Sequence, residues 1–152
     1  KKETTKKFGD EQVLLWRRSY DTPPPQLSKN DKRHPIHDPL YKEIDRGLLP
    51  DSESLKDTLY RVKPLWLSQI LPKLKSGGNI LIVAHGNSLR AIVKMIKNLS
   101  NDDVVNLNIP TGVPYIFDFN KNLELISDFY LGNENEIALK AKLVADQSTN
   151  KS

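Results

Sequence analysis

The sequence predicts an α/β fold with a mostly parallel sheet flanked by helices, and three observations support this class. Residues 80–84 are apolar without alternation, which is typical of a strand covered on both faces. A long helical pattern precedes this strand and a second one follows it, which is the rhythm of an α/β protein. Two short strand patterns at 115–119 and 123–130 flank an asparagine-rich turn, which predicts a hairpin.

Length and composition limit the classes of function. The chain has 152 residues, enough to bury a core, and we expect one domain over 1–152. Its net charge of +4 is spread along the chain, which suits small anions better than nucleic acid. There is no cysteine and there are three histidines, so we expect no metal site. Without a signal peptide or an apolar run of about 20 residues, we expect a cytoplasmic protein with no membrane partner.

The amino-terminal stretch 1–18 predicts a helix that is interrupted at Gly9, with Asp10 as the cap of its second part. This second part ends at Arg17 and Arg18. Guanidinium groups bind phosphate and carboxylate through paired hydrogen bonds, so both arginines could reach one polyanion at the helix end. The alternative is a solvated helix end, where the helix dipole favours arginine.

Residues 20–50 have little regular pattern, and we interpret them as an irregular insertion near a functional site. The insertion contains a short polyproline stretch at 23–25. His34 and His37 are three positions apart, but Pro35 prevents a shared helical face. We therefore expect loop histidines rather than a metal-binding pair.

A long helix is predicted to begin at Ser54, because Ser54 and Asp57 have the spacing of a capping box. Pro64 and Pro72 are expected to kink or split this helix. Glu53, just before it, could act as a general acid, although a cap or a salt bridge is the favoured role. The predicted buried stripe consists of Leu55, Leu59, Val62, Leu65, Trp66, Ile70 and Leu74.

The stretch that follows combines a strand (79–84), a histidine and a helix. Gly86 permits a backbone conformation that a β-carbon would resist, and Asn87 or Ser88 is the expected helix cap. His85 then lies at the end of a strand beside helix-start N–H groups, which bind anions, so it points to chemistry on a phosphate or carboxylate. By itself, a histidine bonded to a backbone carbonyl is the commoner case. The helix is expected to bury Leu89, Ile92, Val93 and Ile96.

After this helix the predicted elements are shorter, and helix, connector and strands follow one another. A short helix is expected after Asn98, and 107–114 is a turn-rich connector that leads into the hairpin. A last helix is predicted from Asn133, and the polar tail 146–152 is expected to be flexible.

Five motifs occur in a fixed order: FGDEQV (8–13), WRRSYD (16–21) with PPP (23–25), ESLKDT (53–58), AHGNSLR (84–90) and LNIPTGVP (107–114). Together they resemble the 2,3-bisphosphoglycerate-dependent phosphoglycerate mutase family of the histidine phosphatase superfamily. The resemblance implies a three-layer fold that interconverts 3-phosphoglycerate and 2-phosphoglycerate through a phosphohistidine, in glycolysis and gluconeogenesis. It also implies 2,3-bisphosphoglycerate as the primer, with no metal.

The resemblance assigns roles to residues of this chain. His85 is implied as the second active-site histidine, which hydrogen-bonds the phosphoryl oxygens. Gly86 and Asn87 are implied to give backbone N–H groups to the substrate, and Arg17 and Arg18 to hold its carboxylate or distal phosphate. Lys1 matches the family's substrate-binding lysine.

The chain departs from the family pattern in one respect. The family's nucleophile lies in an Arg-His-Gly motif and its acid/base glutamate in an Asn-Glu-Arg-His-Tyr-Gly stretch, and neither occurs in residues 1–152. The chain therefore resembles a carboxy-terminal portion that lacks the first strand, and we expect it to be inactive alone. A bisphosphoglycerate mutase or phosphatase, or a truncated non-catalytic anion-binding relative, are the alternatives. Phosphoglycerates are the implied partners, and the family resemblance also allows a homo-oligomer.

Overall fold

Helices make up most of the regular secondary structure in a computed structural model that describes residues 2–146. The expected combination of helices and strands is confirmed, although the sheet among these residues is a two-stranded antiparallel one. No helix in this range is long and apolar enough to cross a membrane. The elements are α1 (Lys2–Phe8), α2 (Asp10–Arg18), α3 (Leu55–Leu65), α4 (Leu71–Lys75), α5 (Gly86–Lys97), α6 (Asn101–Asn106), β1 (Tyr115–Phe119), β2 (Leu125–Tyr130) and α7 (Glu134–Asp146).

The interruption between α1 and α2 lies at Gly9, as the sequence predicts. Gly9 has a φ of 81°, which favours glycine because a β-carbon is strained there. Asp10 is not the cap of α2, because Gly9 occupies that position and makes no side-chain capping bond. Val13 is the buried residue of α2, whereas Leu14 and Leu15 are exposed.

The insertion at 20–50 contains only short 3-10 turns, Pro35–His37, Pro39–Tyr41 and Arg46–Leu48. Each turn begins at a residue whose side chain accepts a backbone N–H two positions ahead, so local polar bonds replace regular secondary structure.

The core lies between α3 and α5. The capping box at the start of α3 is confirmed: Ser54 Oγ accepts the Asp57 N–H at 3.2 Å, and Asp57 Oδ2 accepts the Ser54 N–H at 2.9 Å. The predicted split is also present, because a π-helical turn at Trp66–Ile70 separates α3 from α4. Leu65 is wrongly placed in the predicted stripe, since 54% of it is exposed. The two buried clusters are Val62, Trp66, Ile70 and Ile92, and Leu55, Ala91 and Val104.

The predicted strand at 79–84 is wrong, because these residues have no regular secondary structure and join no sheet among the described residues. Ile80 and Ile82 pack against the first core cluster, but Leu81 and Val83 are 84% and 85% exposed. The expectation that both faces are covered is therefore wrong as well. The physical reason is pairing, because a strand needs a neighbour for its N–H and C=O groups, and no described backbone group bonds to 79–84.

The predicted hairpin is confirmed, with Tyr115 opposite Tyr130 and Phe117 opposite Asp128. Its second strand begins at Leu125 rather than Leu123, because Leu123 has a φ of 63° and belongs to the turn. The hairpin is joined to α5 by Lys97, whose Nζ donates to Asp128 Oδ2 at 2.8 Å.

Candidate active site

A cavity of about 550 Å³ lies where the end of α2 faces the start of α5. It brings together five residues that the sequence singled out, Arg17, Arg18, His85, Gly86 and Asn87. Pro24, Glu53, Arg90, Leu107 and Thr111 also line it. Lys1, the remaining candidate, lies outside the described residues.

His85 is the residue that caps α5, so the expectation of Asn87 or Ser88 as the cap is wrong. Its Nδ1 accepts the backbone N–H of Asn87 at 3.4 Å, and its backbone is extended. When Nδ1 is an acceptor, the neutral ring carries its proton on Nε2. The exposed imidazole therefore presents Nε2–H as a hydrogen-bond donor beside the helix start.

Gly86 begins α5 with an ordinary helical backbone rather than a left-handed one. A β-carbon added there would meet no atom within 4 Å, so the expected need for glycine's conformational freedom is wrong. The first N–H groups of a helix have no partner within it, and the positive end of the helix dipole lies there. This end of α5 is consequently suited to an anion.

Arg17 and Arg18 form the last turn of α2 and are half-buried at the cavity. Burial lowers the pKa of Arg17, and burial together with the charge of Arg17 lowers the pKa of Arg18. Both guanidinium groups remain charged at neutral pH, since their normal pKa is far above it. Two guanidinium groups and the positive end of the α5 dipole therefore line the same cavity.

Glu53 lies at the cavity wall in a salt bridge, which agrees with the favoured prediction. Arg61 donates from Nε to Glu53 Oε1 at 2.7 Å and from Nη2 to Oε2 at 3.0 Å. These hydrogen bonds raise the pKa of Arg61. With both oxygens engaged by a cation, Glu53 is suited to holding structure rather than to donating a proton.

Arg90 is the cavity residue that sequence reasoning missed. Only 6% of it is exposed, and its Nη2 donates to the Val104 carbonyl at 2.6 Å. Burial and the nearby charge of Arg18 lower its pKa to about 10. The available signal was its position, since Arg90 precedes the buried residues Ala91, Ile92 and Val93 in α5.

The two histidines of the insertion are separated in the structure. His34 is buried and lies 2.9 Å from Asp51 Oδ1, whereas His37 is exposed and contacts the Lys29 carbonyl. Among residues 2–146, no group of three or more histidine, cysteine, aspartate or glutamate side chains is arranged to hold a metal. The histidine pair therefore has no shared site.

The chain matches a known protein family and named relatives. The model of the histidine phosphatase superfamily (branch 1) matches residues 2–129. Two proteins of Porphyromonas gingivalis, from strains ATCC 33277 and W83, are each named 2,3-bisphosphoglycerate-dependent phosphoglycerate mutase. Each is 49% identical over 151 residues, which cover 99% of this chain and 61% of the relative. The chain thus spans about three fifths of the length of these curated relatives. With 128 consecutive positions matched by the family model, this chain belongs to the histidine phosphatase superfamily.

Proposed function

We propose that this chain is the carboxy-terminal part of a 2,3-bisphosphoglycerate-dependent phosphoglycerate mutase, which interconverts 3-phosphoglycerate and 2-phosphoglycerate in glycolysis and gluconeogenesis. The observation that carries the proposal is the single cavity shared by His85 at the start of α5 and Arg17 and Arg18 at the end of α2. A small phosphorylated acid has two anionic ends, and the cavity has two arginines at one wall and a helix start at the other. The names of the relatives support the same reaction.

Each residue has a role in this proposal. His85 Nε2–H donates to the phosphoryl oxygens, where negative charge is redistributed during transfer. The backbone N–H of Gly86 holds the same group at the helix start. The N–H of Asn87, which the family resemblance also assigns to the substrate, donates to His85 Nδ1 at 3.4 Å and adds to the site through the helix dipole. Arg17 and Arg18 hold the carboxylate or the distal phosphate at the other wall. Lys1 is proposed as a further substrate-binding residue.

The covalent step needs a nucleophile and an acid/base partner in addition to His85. We propose that an upstream Arg-His-Gly segment and an upstream glutamate supply them, so that residues 1–152 alone are inactive. When bound, the primer 2,3-bisphosphoglycerate would supply a phosphoryl group. A polyanion of this kind suits the arginines and the start of α5, and no metal is part of the proposal.

We propose that residues 1–152 belong to one three-layer domain whose mostly parallel sheet is completed by the upstream first strand. An apolar groove of about 460 Å³ supports this, since Ile80 and Ile82 line one side and residues of β1 line another. The backbone groups of 79–84 have no described backbone partner, and β1 pairs with β2 along one of its edges. One added strand between 79–84 and the other edge of β1 would pair with the backbone groups of each.

The remaining expectations follow from this assignment. We propose a cytoplasmic enzyme whose partners are phosphoglycerates, without a nucleic-acid or membrane partner. Assembly into a homo-oligomer is compatible with this proposal. A bisphosphoglycerate mutase or phosphatase of the same superfamily would use the same cavity, and a non-catalytic relative would only bind anions.

The test is turnover of 3-phosphoglycerate by the full-length protein and by its His85→Ala variant, with His37→Ala as the control for an exposed histidine. We expect His85→Ala to lower the mutase rate by about 10²-fold or more, on the scale of losing a transition-state donor, and His37→Ala to leave it unchanged. An unchanged rate in His85→Ala would overturn the role of His85. Phosphate release in place of 2-phosphoglycerate would indicate a phosphatase, and calorimetric binding without turnover a non-catalytic relative.

A further inference from the structure

Arg90 is a buried cation that the proposed roles leave unexplained. It lies in the first turns of α5, lines the cavity and is 6% exposed. Its Nη2 donates to the Val104 carbonyl at 2.6 Å and its Nη1 to Asn87 Oδ1 at 3.4 Å. Its Nε is buried and has no hydrogen-bond partner among the described residues.

The electrostatic cost of this arrangement is high. Removing an ion from water is unfavourable, and a nearby opposite charge normally offsets that cost. Within residues 2–146, no carboxylate lies within salt-bridge distance of Arg90. The charge that acts on it is instead the like charge of Arg18, which together with burial lowers its pKa. An anion in the cavity would offset the charge of Arg90.

The hydrogen bonds of Arg90 indicate how it acts on the cavity. Asn87 Oδ1 is the acceptor for Arg90, so the Asn87 amide keeps its Nδ2–H₂ group as a donor for a ligand. The bond to Val104 joins α5 to α6, because Val104 is a fully buried residue of α6. Arg90 therefore fixes the side chain of Asn87 relative to the start of α5.

We propose that Arg90 is a positioning residue of the anion site, which orients Asn87 and offsets the negative charge of a phosphoryl group bound at the start of α5. It does this from the cavity wall, through Asn87 and through its electric field. The proposal rests on the proposed function for the identity of the substrate, but the site can be tested with inorganic phosphate alone.

The test is the dissociation constant of inorganic phosphate, measured by calorimetry on the full-length protein at low and high ionic strength. Arg90→Met is the test variant, and Arg46→Met is the matched control because Arg46 is exposed and far along the insertion. We expect Arg90→Met to weaken phosphate binding by about 10- to 100-fold, and Arg46→Met to leave it unchanged. Arg90→Lys should restore part of the affinity, because it keeps the charge and loses the two-pronged donor.

A purely structural role would give a different result. Arg90→Met would then lower the melting temperature while the folded protein bound phosphate with unchanged affinity, and that outcome overturns the proposal. If Arg90→Met fails to fold, Arg90→Lys is used to test the proposal instead. Unchanged phosphate affinity and unchanged salt dependence in Arg90→Lys would also overturn the proposal. Failure of the mutase assignment is distinguishable, because phosphate binding would still depend on Arg90 while 3-phosphoglycerate was not converted.

The coupling between Arg90 and Asn87 provides a second measurement. In a double-mutant cycle that combines Arg90→Met with Asn87→Ala, the two losses of phosphate affinity should be clearly less than additive. Each substitution alone already removes the hydrogen bond between Arg90 and Asn87. Additive losses would show that Arg90 does not act through Asn87 and would overturn the positioning role.

Discussion

His34 Nε2 lies 2.9 Å from Asp51 Oδ1, and this bond joins the middle of the insertion to the residues that precede α3. His34 is 1% exposed, and its Nδ1 accepts the Ile36 N–H at 3.0 Å, so both ring nitrogens are bonded. Asp51 also accepts the Leu27 N–H through its carbonyl at 2.9 Å. The next residue, Ser52, donates to the carbonyl of Pro24 at the cavity rim. The pair thus fixes the segment that carries Pro24.

We expect His34→Ala to lower the free energy of unfolding by about 2 kcal/mol, because it leaves the Ile36 N–H and the Asp51 carboxylate without their buried partner. Chemical denaturation of the full-length protein measures this. His37→Ala is the matched control, since the exposed His37 side chain makes one hydrogen bond among the described residues, with the Lys29 carbonyl. Equal losses in the two variants would contradict the importance of the His34–Asp51 bond.

The capping box of α3 predicts a pH-dependent contribution to stability. Hydrogen bonds from Ser54 lower the pKa of Asp57 below its value in the unfolded chain. A carboxyl with a lowered folded pKa stabilises the protein above its unfolded pKa, and this contribution is lost as the pH falls through the folded pKa. Asp57→Asn should therefore flatten the acid side of the stability curve between about pH 5 and pH 2, measured by thermal melting.

Ser54→Ala removes the other half of the same capping box and is expected to cost about 1 kcal/mol of stability. Ser100, which caps α6 with the same geometry through Asp103, provides a matched comparison. Because Ser54 is buried and its cap belongs to the core helix, Ser54→Ala should cost more than Ser100→Ala. Equal melting temperatures for Ser54→Ala and the unmodified protein would contradict the cap.

Replacing Arg17 or Arg18 is expected to lower substrate affinity rather than protein stability. We expect Arg18→Met to raise the KM for 3-phosphoglycerate by about tenfold or more, since a charge-assisted bond to an anion is worth about 1.5–3 kcal/mol. Arg17→Met should act in the same direction. Steady-state kinetics at two salt concentrations measure the effect, which should shrink at high salt. A KM independent of both arginines would remove them from the site.

The unpaired backbone at 79–84 leads us to expect that residues 1–152 alone have low folding stability. Leu81 and Val83 are exposed in this chain, and the backbone groups between them have no described backbone partner. We expect broad thermal melting and rapid amide exchange at 80–84 in the isolated chain, and protection of the same amides in the full-length protein. Sharp, cooperative melting of the isolated chain would contradict this prediction.

Several features were predictable because they depend on neighbours in sequence. The break at Gly9 and the Ser54–Asp57 capping box both follow from interactions within one turn of helix. The motif around His85 indicated an anion site at a helix start, and the structure brings it together with Arg17 and Arg18.

Other features were decided by tertiary structure, because burial and pairing depend on residues far away in the chain. The apolar run 80–84 has the composition of a buried strand, but the neighbour that would pair with it is not among the described residues. Leu65 lies at the edge of the predicted helical stripe, one position before the buried Trp66, and it is exposed. Arg90 carries a charge that sequence patterns assign to the surface, and only its contact with Val104, fourteen positions away, shows that it is buried. Local interactions thus determined where most helices begin, whereas long-range packing decided which side chains reach the cavity.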